Sequence, residues 1–249
     1  MTIKEIISNL RTKNGEPGTV KMLLIIFLFV CTVSSHAQDA NALMNRVKEK
    51  LAAVKSYEAV GVLKTDIPFI KMAESKVTVY YKTPDRFKVK KQDGISIIPK
   101  GGINFHLQSI FAGNEYTAVA AGNSTVDGRQ LAVVKLLPLN ENAEVVLSTL
   151  YIDEKQALIR KANTTTRDNG TYEMELSYGA HAKFGLPDKV VFSFNLKDYK
   201  LPKGVTFEYD AGADPSTPDK TKNGKQKGSI EIKYSSYQVN KNIPDSVFK

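Results

Sequence analysis

The residues that could carry chemistry are few and widely spaced in this 249-residue chain. Beyond residue 37 there are two histidines, His106 and His181, and no cysteine. No G-x-S-x-G or H-E-x-x-H spacing occurs, so the sequence shows neither a nucleophile beside its base nor a pair of zinc ligands. We therefore predict that the protein is not an enzyme, with no catalytic residues, no metal and no cofactor.

Two other groupings have simpler explanations than chemistry. Asp153 and Glu154 fall in a predicted turn, where solvation accounts for them better than a cation does. Gly101 and Gly102 lack the Gly-Lys-Ser/Thr that completes a phosphate-binding loop, so we interpret them as a flexible bend. The paired carboxylates of a glycosidase meet only in the folded chain, and the sequence leaves that one chemistry open.

The N-terminal segment predicts export. An apolar run from Met22 to Val33 follows Lys21 and precedes Ser35, His36 and Ala37. It is shorter than the roughly 20 residues that a membrane span needs, and a small-x-small ending is typical of a cleavage site. Residues 1–37 are therefore predicted to be a signal peptide cleaved after Ala37, so the mature protein is expected to be exported. Residues 1–19 are an unusual extension for such a signal, and translation is predicted to start near Val20 or Met22.

Cleavage would leave 212 residues, enough for one domain with a sizeable core, and we predict a single domain over residues 38–249. Its only possible stabilisation is noncovalent, since Cys31 leaves with the signal. Removing four basic and two acidic residues lowers the formal net charge from +9 to +7. Such a balance favours anionic lipid surfaces or acidic partners, whereas the spread of the lysines predicts no nucleic-acid binding.

A helix is predicted to open the mature chain. Asp39 can cap it, and it would run to about Val54 with apolar residues at helical spacing on one face. Those residues are Ala40, Leu43, Met44, Val47, Leu51 and Val54. An amphipathic helix of this kind must pack on another element, and the strands that follow are the predicted support.

The rest of the chain predicts antiparallel strands. From Thr171 to Tyr178 apolar and polar residues alternate strictly, as in a half-buried strand. Turn residues such as Asp127-Gly128 separate the candidates, so neighbouring strands should pair in a meander. The eleven candidates are Tyr57–Lys64, Lys76–Lys82, Arg86–Lys91, Gly94–Ile98, Tyr116–Ala121, Gln130–Leu137, Leu147–Asp153, Gln156–Thr164, Thr171–Tyr178, Lys189–Leu196 and Ser229–Val239.

Two segments interrupt this succession of strands and turns. Residues 99–112 combine two glycines with an apolar cluster and predict a short helix or a flap. Residues 212–228 are rich in Pro, Gly and Lys and predict a mobile loop within the same domain.

A sheet covered by a helix and a flap can close into a core or stay partly open as a pocket. For the pocket we predict an apolar lining with two residues from each of six strands. An error of one residue in the register of a strand would move all of its predicted lining residues to the other face of the sheet. The predicted lining residues are Val60, Val62, Val79, Tyr81, Phe87, Val89, Met174, Leu176, Phe192, Phe194, Ile230 and Ile232.

Three stretches in order carry a resemblance: Y-Y-K-T-P-D-R-F-K-V at Tyr80–Val89, V-D-G-R-Q-L-A-V-V-K-L-L-P at Val126–Pro138, and L-Y-I-D-E-K-Q-A-L-I-R-K at Leu150–Lys161. With the preceding signal and helix, they make the chain resemble the LolA/LolB-like superfamily of outer-membrane lipoprotein-sorting and carrier proteins. The resemblance extends over essentially all of the chain after the signal.

The resemblance implies a mainly β protein with a few helices (α+β). Its fold would be an open, incomplete antiparallel β-barrel of about eleven strands, with the N-terminal helix and a lid over the concave face. It also implies a periplasmic carrier that shelters the acyl chains of a lipoprotein, taken from an inner-membrane transporter and given to an outer-membrane acceptor. We expect a monomer. The alternative is a lipid- or ligand-sensing regulator, or a structural envelope protein, of the same fold.

One position departs from the superfamily pattern. The carriers place an arginine before the proline of the turn that follows the third predicted element, and this chain has Thr83 there. Lys82 or Arg86 could substitute for it in holding a lid. We predict lid contacts at Lys82, Arg86, Phe105 and Phe111.

Overall fold

The computed structural model describes residues 35–67, 74–92, 107–111, 115–168, 170–195 and 227–248. These contain one α-helix, ten strands and three short 3₁₀ helices, at Leu107–Ile110, Ala182–Phe184 and Asp245–Phe248. The helix α1 is Ser35–Ala52. The strands are β1 Ser56–Asp66, β2 Ser75–Lys82, β3 Arg86–Lys91, β4 Tyr116–Val126, β5 Arg129–Pro138, β6 Val145–Asp153, β7 Leu158–Thr166, β8 Thr171–Ser177, β9 Lys189–Asn195 and β10 Lys227–Val239.

All ten strands form one antiparallel sheet in the order β3-β2-β1-β10-β9-β8-β7-β6-β5-β4. The meander from β4 to β10 is joined to β1–β3 by the pairing of β1 with β10. The ten described strands do not close into a barrel, and β3 and β4 are the two edges of the sheet that they form. The predicted fold class, an open mainly β architecture with an N-terminal helix, is confirmed. The candidate strand Gly94–Ile98 and the predicted loop residues 212–226 lie outside the described residues, whereas Lys227 and Gly228 already belong to β10.

Helix α1 differs from its prediction at its start. It begins at Ser35, so the prediction that Asp39 caps it is wrong; it ends at Ala52, close to the predicted end. Its buried face is the predicted one, with Ala40, Leu43, Met44, Val47 and Leu51 each at most 7% exposed. Each large apolar side chain buried in this way contributes about 1.5–3 kcal/mol, so packing on the sheet is what stabilises the helix.

The turn between β4 and β5 follows directly from two residues. Asp127 and Gly128 have φ values of 49° and 73° and form a two-residue hairpin loop. Both central positions of a type I′ turn need positive φ, which Asp tolerates and Gly adopts freely. This turn aligns β4 with β5 and so sets the register of the last strand at the sheet edge.

Gly61 is required where β1 bulges against β10. A Cβ at this position would lie 2.6 Å from the carbonyl oxygen of Lys233, which belongs to the backbone and cannot move aside cheaply. We expect Gly61→Ala to lower the free energy of unfolding by about 1–3 kcal/mol, as overpacking does elsewhere. Urea titration checks this, with Thr65→Ala on the same strand as a control that should stay within about 0.5 kcal/mol of the unmodified protein. An unchanged midpoint for Gly61→Ala would contradict the close approach.

Candidate functional site: the inner face of the sheet

The side of the sheet that packs against α1, here called the inner face, is mainly apolar. Paired residues on neighbouring strands share a face, so one row can be followed from strand to strand. On the first three strands it runs through Val89, Val79 and Ala59. That row reaches β10 at Tyr237, the partner of Ala59. A second row begins seven residues earlier on β10 and continues to β4 through Ile230, Phe192, Met174, Ala162, Leu150, Val134 and Ala120.

Helix α1 covers the part of the inner face formed by β4–β9. Its apolar residues join one buried cluster with Leu107, Ile110 and the inward residues of those six strands. Met44 and Val47 on the helix, and Phe192 and Met174 on the sheet, are at most 2% exposed. In this structure the helix therefore occupies the space in which an apolar guest would lie against β4–β9.

A second buried cluster covers the part formed by β1–β3 and β10. It contains Tyr57, Ala59, Leu63, Val77, Val79, Tyr81 and Ile232, packed with Val54 and Leu186. Half-buried side chains at its margin include Phe87, Val89, Ile230 and Tyr234. These margin positions are less enclosed than the buried residues of the cluster.

Ten of the twelve predicted lining residues lie on the inner face. Seven are buried there: Val79, Tyr81, Met174, Leu176, Phe192, Phe194 and Ile232. Phe87, Val89 and Ile230 are half-buried on the same face. The structure places the remaining two, Val60 and Val62, on the opposite face, and Val62 is 37% exposed.

The inward face of β1 was therefore predicted wrongly, because apolar residues occur on both faces of this strand. The inward residues are Tyr57, Ala59, Gly61 and Leu63. The signal that identifies them was available in the charges: Glu58, Lys64 and Asp66 have the same parity as Val60 and Val62. A strand buries the face without charges, so this parity marks the outer face.

Sequence reasoning also missed the inward residues of β4–β7. In β5 the consecutive residues Leu131, Ala132, Val133 and Val134 are all buried, each at most 8% exposed. A run buried on both faces shows no alternation, so its inward face cannot be read from the sequence.

Four tyrosines gather where β1, β2 and β10 meet on the inner face. Tyr57 stacks on Tyr81 with ring centroids 5.3 Å apart and meets Tyr237 edge-on at 5.5 Å. Tyr234 contacts Tyr237 at 5.0 Å, and the Tyr237 hydroxyl donates to the Pro187 carbonyl at 2.7 Å. Burial raises the pKa of Tyr57, Tyr234 and Tyr237 well above the usual range, so these phenols stay protonated in the folded protein.

The described residues predicted as lid contacts meet other parts of the chain. Lys82 Nζ and Arg86 Nη1 each lie 2.7 Å from Asp245 Oδ1 in the C-terminal 3₁₀ helix. Hydrogen bonds from these two cations lower the pKa of the Asp245 carboxyl. Phe111 packs against Tyr116 with ring centroids 6.0 Å apart. Phe105 lies outside the described residues.

The described polar groups do not assemble a reactive site. His181 Nδ1 is 4.0 Å from Asp188 Oδ1, and its ring contacts Tyr237. Asp153 pairs with Arg160 at 3.4 Å and accepts the Gln156 amide, which ties down the β6–β7 turn. Within the described ranges no three His, Cys, Asp or Glu side chains gather as metal ligands would. None of the helices seen there has the length and apolar character needed to cross a bilayer.

No protein-family model matches the chain, and no curated protein matches it. Several solved structures do match the chain. A domain described as an outer membrane lipoprotein-sorting protein from Vibrio parahaemolyticus has a TM-score of 0.54 at 9% identity, covering 85% of this chain and 97% of that one. A LolA superfamily protein from Nitrosomonas europaea has a TM-score of 0.52 at 11% identity, covering 84% and 97%.

A third similar structure is a DUF1329 family protein from Desulfovibrio piger, with a TM-score of 0.53 at 10% identity over 87% of this chain and 98% of that one. At these identities the comparisons concern the fold alone. The chain has the fold of the LolA superfamily and of lipoprotein-sorting domains, and the resemblance read from the sequence is confirmed at that level.

Proposed function

We propose that this protein is a non-enzymatic periplasmic carrier that shelters the acyl chains of a lipoprotein against the inner face of its sheet and takes them toward the outer membrane. The observation that supports this most is the apolar character of the inner face. One row of paired residues runs from Val89 on β3 to Tyr237 on β10, and a second runs from Ile230 on β10 to Ala120 on β4. Helix α1 covers only the β4–β9 part of this face.

Burial of hydrocarbon supplies the binding energy. Each methylene removed from water contributes about 0.8 kcal/mol, so a long acyl chain can bind tightly without any polar contact. The guest must replace contacts that α1 already makes through Leu43, Met44 and Val47. The net binding free energy is therefore the difference between the apolar contacts of the guest and those of α1 with the same strands. Because this difference is smaller than either set of contacts alone, both loading and release can occur.

The half-buried margin is the proposed point of entry. Phe87, Val89 and Ile230 belong to the inner face but are less enclosed than Val79 or Phe192. A chain entering here would reach the β1–β3 part of the face first and then compete with α1 for the β4–β9 part. The proposed partners are an inner-membrane transporter that loads the carrier and an outer-membrane acceptor that unloads it.

The alternative is a lipid- or ligand-sensing regulator or a structural envelope protein of the same fold, and one observation favours the structural envelope protein. Met174, Val79 and Phe192 are fully buried already, as in a closed core. A closed core would ignore long-chain guests, whereas a carrier or a sensor would bind them, and a carrier alone would also bind an inner-membrane transporter.

A fluorescent long-chain fatty acid tests the proposal through two matched variants. Val89→Arg places a charge at the half-buried margin of the inner face, and we expect it to weaken probe binding at least about tenfold, because an arginine there must be desolvated when the guest enters. Val62→Arg makes the same change on the outer face of β1 and should bind as the unmodified protein does. Fluorescence titration and a thermal melt of each variant measure affinity and folding.

Either of two results would overturn the proposed function. The unmodified protein could fail to bind the probe and any acylated peptide. Alternatively, Val62→Arg could weaken binding as much as Val89→Arg while both variants remain folded, which would place the probe on the outer surface.

A further inference from the structure

A basic groove lies beside the exposed edge of α1, at the end of the sheet that carries the β6–β7 turn. It has a volume of about 580 Å³ and is open to solvent. Arg46 and Lys50 of α1 line one side, and Lys155 and Lys183 line the others. Glu49 is the one acidic side chain in the lining, and Ala157 and Ala182 are too small to fill the space. The lining therefore carries an excess of three positive charges.

Two of these cations are held in place by neutral groups. Arg46 Nη2 donates to the carbonyl of Glu154 at 2.9 Å and to that of Lys155 at 3.5 Å. Lys50 Nζ donates to the carbonyl of Gln156. Backbone carbonyls orient the two side chains but do not neutralise them, so the charge remains available to an anion. Hydrogen bonds between a cation and a phosphate are roughly twice as strong as neutral ones.

These same bonds tie α1 to the sheet. Arg46 and Lys50 make polar contacts from α1 to the β6–β7 turn, and Lys48 lies over the Tyr116 ring. The buried face of the helix packs on the strands through apolar side chains. An anion that draws Arg46 and Lys50 away from the turn would therefore loosen the cover of the inner face.

We propose that this groove binds the phosphates of anionic phospholipids at a membrane surface, and that the phosphates compete with the turn carbonyls for Arg46 and Lys50. The lipid surface is the source that fits, because four cations spread around an open groove match many neighbouring phosphates better than one compact free anion. The link to uncovering the inner face rests on the proposed function; the docking itself does not.

Vesicle sedimentation without any guest tests the docking. The protein should bind vesicles of phosphatidylglycerol and phosphatidylcholine, bind pure phosphatidylcholine weakly, and detach as salt rises, because exposed charges are screened over about 8 Å at physiological ionic strength. Lys155→Glu with Lys183→Glu should weaken binding at least about tenfold, since each basic residue near an anionic surface contributes about fivefold. Amide exchange should also speed up in α1 when the unmodified protein binds anionic vesicles.

The control makes the same change in net charge elsewhere. Lys135→Glu with Lys233→Glu alters two exposed lysines of the outer face and should keep most of the binding. If both double variants lost vesicle binding equally, the binding would depend on net charge alone and the proposed site would be overturned. A protein that shows no preference for anionic vesicles would overturn the site as well. So would inorganic phosphate that displaces the protein from vesicles more than chloride does at equal ionic strength, because the groove would then belong to a free anion. Each of these results leaves fatty-acid binding, and hence the proposed carrier role, to be judged separately.

Discussion

Raising the pH from 9 to 11 is expected to remove about 5–6 kcal/mol from the free energy of unfolding. Burial raises the pKa of Tyr57, Tyr178, Tyr234 and Tyr237 far above the ordinary value of 10, so the folded protein keeps these phenols protonated while the unfolded chain ionises. The stabilisation is fully present below pH 10 and is lost as the pH rises toward the folded pKa. Each tyrosine loses about 1.4 kcal/mol over this interval.

The expected loss is comparable with the whole stability of an ordinary domain, about 5–15 kcal/mol. Urea titrations at pH 9, 10 and 11, with tyrosinate absorbance recorded at each denaturant concentration, measure it. Tyr234→Phe should reduce the loss by about a quarter, because it removes one of these four ionisable phenols. An equal free energy of unfolding at pH 9 and 11 would show that solvent reaches these hydroxyls and that the β1–β2–β10 part of the inner face is not dry.

Phe192→Ala is expected to cost about 3–5 kcal/mol of stability and to leave a cavity that an acyl chain can refill. Phe192 is fully buried, and its ring centroid lies 4.9 Å from that of Tyr172 and 5.8 Å from that of Phe194. It belongs to the apolar row that runs from Ile230 on β10 to Ala120 on β4. Truncations of this size lose transfer free energy and leave a residual cavity. A guest that binds only the folded state then restores stability in proportion to its concentration.

Leu158→Ala provides the matched control for this prediction. Leu158 is 2% exposed but belongs to neither apolar cluster of the inner face. It should lose about 2–5 kcal/mol without recovering any when a long-chain fatty acid is added. Thermal melts of both variants with increasing fatty acid make the comparison. Equal recovery in the two variants, or none in Phe192→Ala, would count against a guest site at the centre of the inner face.

Local signals predicted much of this fold. The alternation in Thr171–Ser177 predicted β8 and its inward residues Met174 and Leu176, and Asp127-Gly128 predicted the hairpin between β4 and β5. In both places the information lies within a few residues, because a two-residue side-chain period and a turn with positive φ need no distant partner. The helix face and the antiparallel meander were predictable for the same reason.

Other features depend on pairings between distant residues. The inward face of β1 follows from its place between β2 and β10, and the tyrosine cluster forms because Ala59 pairs with Tyr237 from the other end of the chain. The bulge at Val60 and Gly61 also arises from that pairing. Such contacts leave only weak signals in the sequence. In β1 the charged residues Glu58 and Lys64 marked the outer face, but the valines on that same face favoured the opposite assignment.

The position of α1 was not predictable either. Its apolar face showed that it must cover part of a sheet, but β4–β9 and β1–β3 both offered apolar residues. The structure places it on β4–β9, where Ala118 and Ala162 leave room for a helix to approach. The same placement brings Arg46 and Lys50 to the carbonyls of the β6–β7 turn and so creates the basic groove.

The most direct test of the account is native mass spectrometry of the protein released gently from its own cell envelope. If the inner face takes an acyl guest in place of α1, a fraction of the protein will carry a bound acylated species. That species should be lost from Val89→Arg and retained by Val62→Arg. A single mass equal to that of the bare polypeptide, in a preparation that also ignores added lipopeptide, would contradict the proposal that this face holds a guest.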